Sequence, residues 1–317
     1  MKILTINDAI PENETCVVTV GNFDGVHLGH QKLLHEVVIR AAAGGQKSVA
    51  ITFEPHTRLV VEGEENYSIL TGFEEKARLI ELMGVDYLML LTFDRTMSEM
   101  GPEEFIRAIL VDKLHVAEWV MGTGHAIGRN RALNDIFLRE LEGKYHFKTF
   151  VADLLAQNGS TVSSTQIRNF IAQGHIAEAV AMLGHPYLLS VERTRGLRLG
   201  TKLGYPTINF RKPPSRKVIP PPGVYAAELE YNGVLEQGAL YFGASSTVPE
   251  HRDIHFEFFS FSRGKEEIAE GDNAHLWLYS FIRKDTAFGS TDELVRQITI
   301  DVNTIKTYFM KERKQWR

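Results

Sequence analysis

The chain has 317 residues, enough for two domains at roughly 100–200 residues each. Its 35 Lys and Arg against 40 Asp and Glu leave a net charge of −5, with 44% hydrophobic residues; this excludes a disordered chain and a general nucleic-acid binder with a basic face. No apolar run reaches the ~18 residues of a membrane span, Asp8 interrupts any signal-peptide core, and the lone Cys16 has no internal partner, so a cytoplasmic enzyme is expected.

Short β-rich runs are predicted at residues 16–20, 48–53, 85–92, 118–121 and 147–151. After the first of them Leu33, Leu34, Val37, Val38 and Ala41 recur at helical spacing, with Lys32, Glu36 and Arg40 outside the stripe. That pattern predicts a helix over 31–43. Alternating strand and helix predict βαβ units and a parallel sheet with helices on both faces. A helical stretch over 167–183 closes this half, and the pattern changes near Gly184-His185-Pro186. The expected domains are therefore 1–185 and 186–317.

In the second half, residues 211–222 hold five prolines and are expected to form a surface loop. Residues 223–230 then alternate towards Asn232-Gly233, a hairpin signal, with 234–242 as the partner strand. Further alternating runs fall at 255–261 and 275–282. Ser290-Thr291-Asp292-Glu293 reads as a capping box opening a helix towards Tyr308. Antiparallel strands followed by one helix predict a small closed β-barrel with a C-terminal helix.

The strongest chemical signal is Gly21-Asn22-Phe23-Asp24-Gly25-Val26-His27-Leu28-Gly29-His30, between the first strand and the first helix. Gly21, Gly25 and Gly29 allow a tight turn and a close approach to a ligand. A helix N-terminus offers N–H groups and a partial positive charge to phosphate. His27 and His30 can converge there as donors to oxygens that gain charge in a transition state. The plainer alternative is two surface histidines beside a flexible turn. A second cluster, Ser163-Ser164-Thr165-Gln166-Ile167-Arg168, precedes a helical stretch. Its hydroxyls and the Arg168 fork suit a triphosphate, although Ser-Ser-Thr also makes an ordinary helix cap.

These motifs resemble the adenylyltransferase half of the bacterial riboflavin kinase/FAD synthetases, and the His-x-Gly-His nucleotidyltransferases more widely. The resemblance continues through Thr52-Phe53-Glu54-Pro55-His56, Gly84-Val85-Asp86 and Gly101-Pro102-Glu103-Glu104-Phe105. It implies a Rossmann-like nucleotidyltransferase domain in an α/β chain. By the same resemblance His27, His30 and Arg168 are catalytic. Gly21, Asn22, Phe23, Asp24, Gly25, Gly29, Ser163, Ser164 and Thr165 bind ATP; Phe53, Pro55, His56 and His125 line the flavin side. The implied reaction joins FMN to the AMP part of ATP, with Mg²⁺ accompanying the nucleotide. One stretch departs from the family: its Gly-x-Asp/Asn-Phe-x-Phe-Gly appears here as Gly122-Thr123-Gly124-His125-Ala126-Ile127-Gly128.

Gly200-Thr201-Lys202-Leu203-Gly204-Tyr205-Pro206-Thr207-Ile208-Asn209 resembles the family's riboflavin kinase motif, and Pro222-Gly223-Val224-Tyr225-Ala226 extends it. The resemblance makes Gly200, Gly204, Thr207 and Asn209 nucleotide-site residues, with Thr207 and Asn209 as ligands of Mg²⁺–nucleotide. Alternation along a strand places those two on one face. The family's Glu-Val-His-Leu-Leu-Asp-Phe, whose Glu is the general base, aligns on Phe261 with His255 at the Glu position. Glu257 follows two residues on, a displaced base. The reading that results is an FAD synthetase with a weakened kinase domain. The alternatives are a fully bifunctional enzyme and a flavin- or nucleotide-binding regulator. Expected partners are ATP, FMN and riboflavin, with no nucleic acid and no membrane.

Overall fold

The computed structural model describes residues 1–61, 63, 67–122, 135–152, 162–196, 199–213, 216–244, 254–262 and 268–311. The chain divides into two compact units, Met1–Ser164 and Thr165–Arg317.

The first unit begins with β1 (Lys2–Leu4) and β2 (Cys16–Val20), then α1 (Leu28–Gly44) and β3 (Lys47–Glu54). Next come the short α2 (Thr57–Val61), α3 (Phe73–Leu82), β4 (Tyr87–Thr92) and α4 (Arg95–Glu99). Helix α5 (Pro102–Phe105) runs into a π-helical segment, Ile106–Val111, before β5 (Val116–Gly122), α6 (Asp135–Tyr145) and β6 (Lys148–Ala152). The six strands form one sheet in the order β1-β4-β3-β2-β5-β6, and all five of its pairings are parallel. β2 is buried along its whole length, as a strand inside a parallel sheet must be. All five predicted strands are present, each within a residue or two of its expected bounds. The helix expected at 31–43 is α1, which ends at Gly45 in the left-handed region.

The second unit opens with the helical stretch expected at 167–183, but as two helices. α7 (Ser164–Gln173) stops at Gly174, whose φ is +81°, and α8 (Ile176–Leu183) starts afresh. The Gly174 N–H donates to Ile171 O and the His175 N–H to Phe170 O; these are the two bonds of a Schellman end, which glycine permits at no steric cost. β7 (Tyr187–Thr194), α9 (Leu199–Lys202), β8 (Ile208–Phe210), β9 (Gly223–Tyr231), β10 (Val234–Ala244), β11 (Ile254–Ser260) and β12 (Asn273–Lys284) follow. These strands close into a barrel in the order β10-β11-β8-β7-β12-β9. Asn232 and Gly233 turn the β9–β10 hairpin with φ of +48° and +77°, the paired positive angles of a type I′ turn.

The stretch expected as a surface loop is exposed at Arg211, Lys212, Arg216 and Pro222 but is anchored inward between them: Pro213, Lys217, Val218 and Pro220 are buried, the Tyr187 hydroxyl donates to Val218 O at 2.7 Å, and the Tyr225 hydroxyl donates to Pro221 O. Buried tyrosines need a partner for their hydroxyl, and this segment's carbonyls provide it. The last helix, α10 (Thr291–Lys311), lays Ile305 and Phe309 on Val224 and Ala226 of β9. Arg283 fastens it from β12 through a forked pair with Asp301 at 2.8–3.0 Å.

Candidate active sites

Between β2 and α1 the chain makes a tightly constrained turn. Phe23 and Val26 have φ of +47° and +38°, and Gly25 has +82°. For a β-branched residue such an angle is a true outlier, held only where surrounding contacts over-determine it. Those contacts are present. Asn22 exchanges two hydrogen bonds with Thr57: its Nδ2 donates to Oγ1 at 2.9 Å, and the Thr57 N–H donates to Oδ1 at 3.3 Å. The Asp24 carboxylate, 2% exposed, accepts from the Leu70 and Thr71 N–H groups at 2.8 and 3.0 Å. The Gly25 N–H donates to Thr71 Oγ1 at 2.9 Å.

That turn delivers both histidines to one place. The His27 and His30 rings stack with centroids 3.7 Å apart, and Phe23 meets His30 edge-on at 5.4 Å. Gly21 and Gly29 are tight against these rings: a Cβ on Gly21 would lie 3.2 Å from Phe23, and one on Gly29 3.3 Å from His27. His27, which is 7% exposed, is the N-cap residue of α1, so its ring sits where the free N–H groups of the helix end emerge. Ser164 joins the turn by donating from Oγ to Asp24 O at 2.9 Å. Ser163, just before it, is exposed.

The remaining expected residues of the first site are more scattered. Phe53 packs against the main core and meets Phe93 edge-on. Pro55 follows a cis peptide bond. His56 is buried against the Tyr67 ring, with Nδ1 accepting from the Arg58 N–H. Thr165 and Arg168 belong to the second unit, where the guanidinium donates to Thr165 Oγ1 at 2.9 Å. His125, with the rest of 123–134, lies outside the described residues.

Sequence reasoning missed Thr71 and Lys76, and quoted Thr52 in a motif without giving it a role. Lys76 Nζ donates to Thr52 Oγ1 at 3.1 Å, and Thr52 Oγ1 to Asn22 O at 3.2 Å. Burial holds the Lys76 amine below its ordinary pKa, opposed by the nearby Glu54 and Asp24 carboxylates. A signal existed: Lys76 stands three and four residues before Leu79 and Ile80, on the buried stripe of α3.

In the barrel, a Cβ on Gly200 would fall 2.3 Å from the Tyr205 carbonyl, so the loop closes on itself only because that residue is glycine. Gly204 turns with φ of +82°. Asn209 lies opposite Glu257 in the β8–β11 register, and Thr207 Oγ1 donates to Glu257 Oε2 at 3.1 Å. The residue that faces the Thr-x-Asn pair is thus Glu257. His255 lies two residues earlier on β11, beyond the three residues, Phe256 to Phe258, that pair with β8. Gly196, which sequence reasoning passed over, approaches so closely that a Cβ there would overlap the Asn209 amide. Beside this row a cleft of about 450 Å³ is lined by Gly204, Pro206, Ile208, Leu229, Phe259 and Phe261, among others.

A parallel-sheet unit with a histidine turn at a helix N-terminus, together with a closed barrel carrying a Gly-rich loop, defines a two-module transferase that handles nucleotides. Comparison with known proteins agrees. The FAD synthetase family profile matches residues 9–166 and the riboflavin kinase profile residues 183–309. A bifunctional riboflavin kinase/FMN adenylyltransferase from Buchnera aphidicola subsp. Schizaphis graminum is 32% identical over 307 residues, covering 94% of this chain and 95% of its own. The Escherichia coli K12 protein of that name is 31% identical over 302 residues, 93% of each chain. A crystal structure of a protein described as a macrolide-efflux protein, from Streptococcus pneumoniae, superposes with a TM-score of 0.80 at 24% identity, over 95% of this chain and 97% of that one; it establishes the shared fold alone. The chain belongs to the bifunctional riboflavin kinase/FMN adenylyltransferase family. Among the described residues no helix is long and apolar enough to cross a membrane.

Proposed function

We propose that this chain makes FAD in two steps: domain 186–317 phosphorylates riboflavin, and domain 1–185 joins the resulting FMN to AMP. The relatives carry both names. The observation that favours two working activities over a weakened kinase is Glu257, opposite Asn209 and hydrogen-bonded to Thr207. A carboxylate therefore stands beside the nucleotide motif, although alignment on Phe261 had placed His255 there.

In the kinase step Glu257 takes the proton of the riboflavin 5′-hydroxyl. The freed oxygen bonds to the γ-phosphorus of ATP, and the bond from that phosphorus to the bridging oxygen breaks to release ADP. A positioned base is commonly worth about 10²–10⁴-fold in rate. Thr207 and Asn209 present a hydroxyl and an amide oxygen, hard oxygen donors that suit Mg²⁺. Mg²⁺ bound there with the nucleotide would neutralise phosphate charge. The adjoining apolar cleft suits the adenine base.

In the second step a phosphate oxygen of FMN bonds to the α-phosphorus of ATP, and pyrophosphate leaves. No protein nucleophile is needed, so the work of the site is alignment and charge stabilisation. His27 and His30, with the N-terminus of α1, donate to the oxygens that gain charge. Gly21, Asn22, Phe23, Asp24, Gly25 and Gly29 shape that cradle; Ser163, Ser164, Thr165 and Arg168 serve the triphosphate. Phe53, Pro55, His56 and His125 are the proposed flavin contacts. A cytoplasmic location belongs to the same reading.

The test is a product analysis of the purified full chain with MgATP and either riboflavin or FMN. Riboflavin should yield FMN and then FAD. FAD from FMN without FMN from riboflavin would return the weakened-kinase reading, and binding without any turnover would indicate a regulator.

A further inference from the structure

We infer that Lys76 is a positioning residue for adenylyl transfer, fixing the phosphate-binding turn through Thr52; this rests on the adenylyl-transfer reading of the first site. The argument starts from hydrogen-bond direction. An ammonium only donates, so the lone pair that Lys76 Nζ meets on Thr52 Oγ1 at 3.1 Å must accept. The single hydroxyl proton of Thr52 is then directed at Asn22 O, 3.2 Å away. The chain runs one way only: Lys76 to Thr52 to Asn22.

The Asn22–Phe23 peptide is trans, since the cis bond of this region is Glu54–Pro55. In a trans peptide the C=O and N–H point in opposite directions. Holding Asn22 O inward, towards Thr52 and Lys76, turns the Phe23 N–H outward, in the stretch where Phe23, Gly25 and Val26 all have positive φ. The Gly25 N–H goes to Thr71 Oγ1 and the Val26 N–H to Phe23 O, so the Phe23 N–H is the amide that the relay turns towards an anion. Lys76 is 2% exposed and faces the Glu54 and Asp24 carboxylates. A buried cation costs free energy unless it is paired and hydrogen-bonded. Here it gives the turn a fixed orientation that apolar packing could not.

The test compares Lys76→Met, which keeps the stem and loses the donors, with Thr52→Val, which breaks the relay while Lys76 stays. The full chain is assayed for FAD formation from FMN, for FMN formation from riboflavin, and for binding of magnesium pyrophosphate by calorimetry. Both variants should lose at least tenfold in kcat for FAD formation and at least tenfold in pyrophosphate affinity, with FMN formation unchanged. The double variant should be no worse than the poorer single one, because residues in one network are not additive. Wild-type-like FAD formation and pyrophosphate binding in Thr52→Val would overturn the relay, and that variant decides alone should Lys76→Met fail to fold. If the wild-type chain makes no FAD, the adenylyl-transfer reading fails by itself, and pyrophosphate affinity still judges the relay.

Discussion

Replacing Glu257 by glutamine separates the role of its negative charge from that of its shape. Thr207 Oγ1 donates to one oxygen of this side chain at 3.1 Å, and the glutamine carbonyl oxygen can accept the same bond. The fold should therefore lose no more than about 1 kcal/mol, the net worth of an ordinary hydrogen bond. An amide cannot take a proton from an alcohol, so the base contribution is lost whole. At about 10²–10⁴-fold this raises the kinase barrier by about 3–5 kcal/mol. The assay follows FMN and FAD by chromatography, from riboflavin plus MgATP and from FMN plus MgATP. FMN formation should fall by at least about 100-fold while FAD formation from FMN holds, which shows that the first domain is intact. His255→Ala should leave both rates near wild type, since it is Glu257, two residues on, that lies opposite Asn209. Near-wild-type FMN formation by Glu257→Gln would refute the assignment of the base, and loss of it in His255→Ala would return the role to the histidine.

His30→Ala should cut FAD formation by about 10²–10³-fold, the usual cost of removing one transition-state donor, while thermal unfolding changes little; near-wild-type adenylyl transfer would dismiss the histidine turn as the site. Arg168→Ala should raise KM for ATP in FAD formation, whereas unchanged kinetics would leave Arg168 an ordinary helix-surface charge. Cys16, buried with its thiol pushed up to about 12 by desolvation first and by Glu14 and Asp86 next, should resist a thiol-specific reagent at pH 8 in the native chain and react after denaturation. Fast native labelling would contradict the burial of β2.

The histidine turn was legible because all its parts lie within ten consecutive residues, so local sterics dictate a strand, a tight turn and a helix end in that order. Asn232-Gly233 was legible for the same reason: two residues that tolerate positive φ specify the hairpin between β9 and β10. The Gly174 break between α7 and α8 was also local, yet apolar spacing runs through Ile167, Ile171, Ile176 and Leu183 and masks it. Glu257 was harder. His255 and Glu257 lie two apart on one strand, so alternation puts them on the same face of the barrel, and counting back from Phe261 cannot choose between them. The choice belongs to register, and register is set across strands, by Glu257 lying opposite Asn209 once the barrel closes. Lys76 shows the same limit. In the sequence it follows Glu74 and Glu75 as one more charge; only packing α3 on the sheet brings its ammonium to Thr52, a residue 24 positions earlier. Contiguous chain specifies turns and caps through sterics, whereas pairing between distant segments is decided by burial and hydrogen bonding of the whole fold.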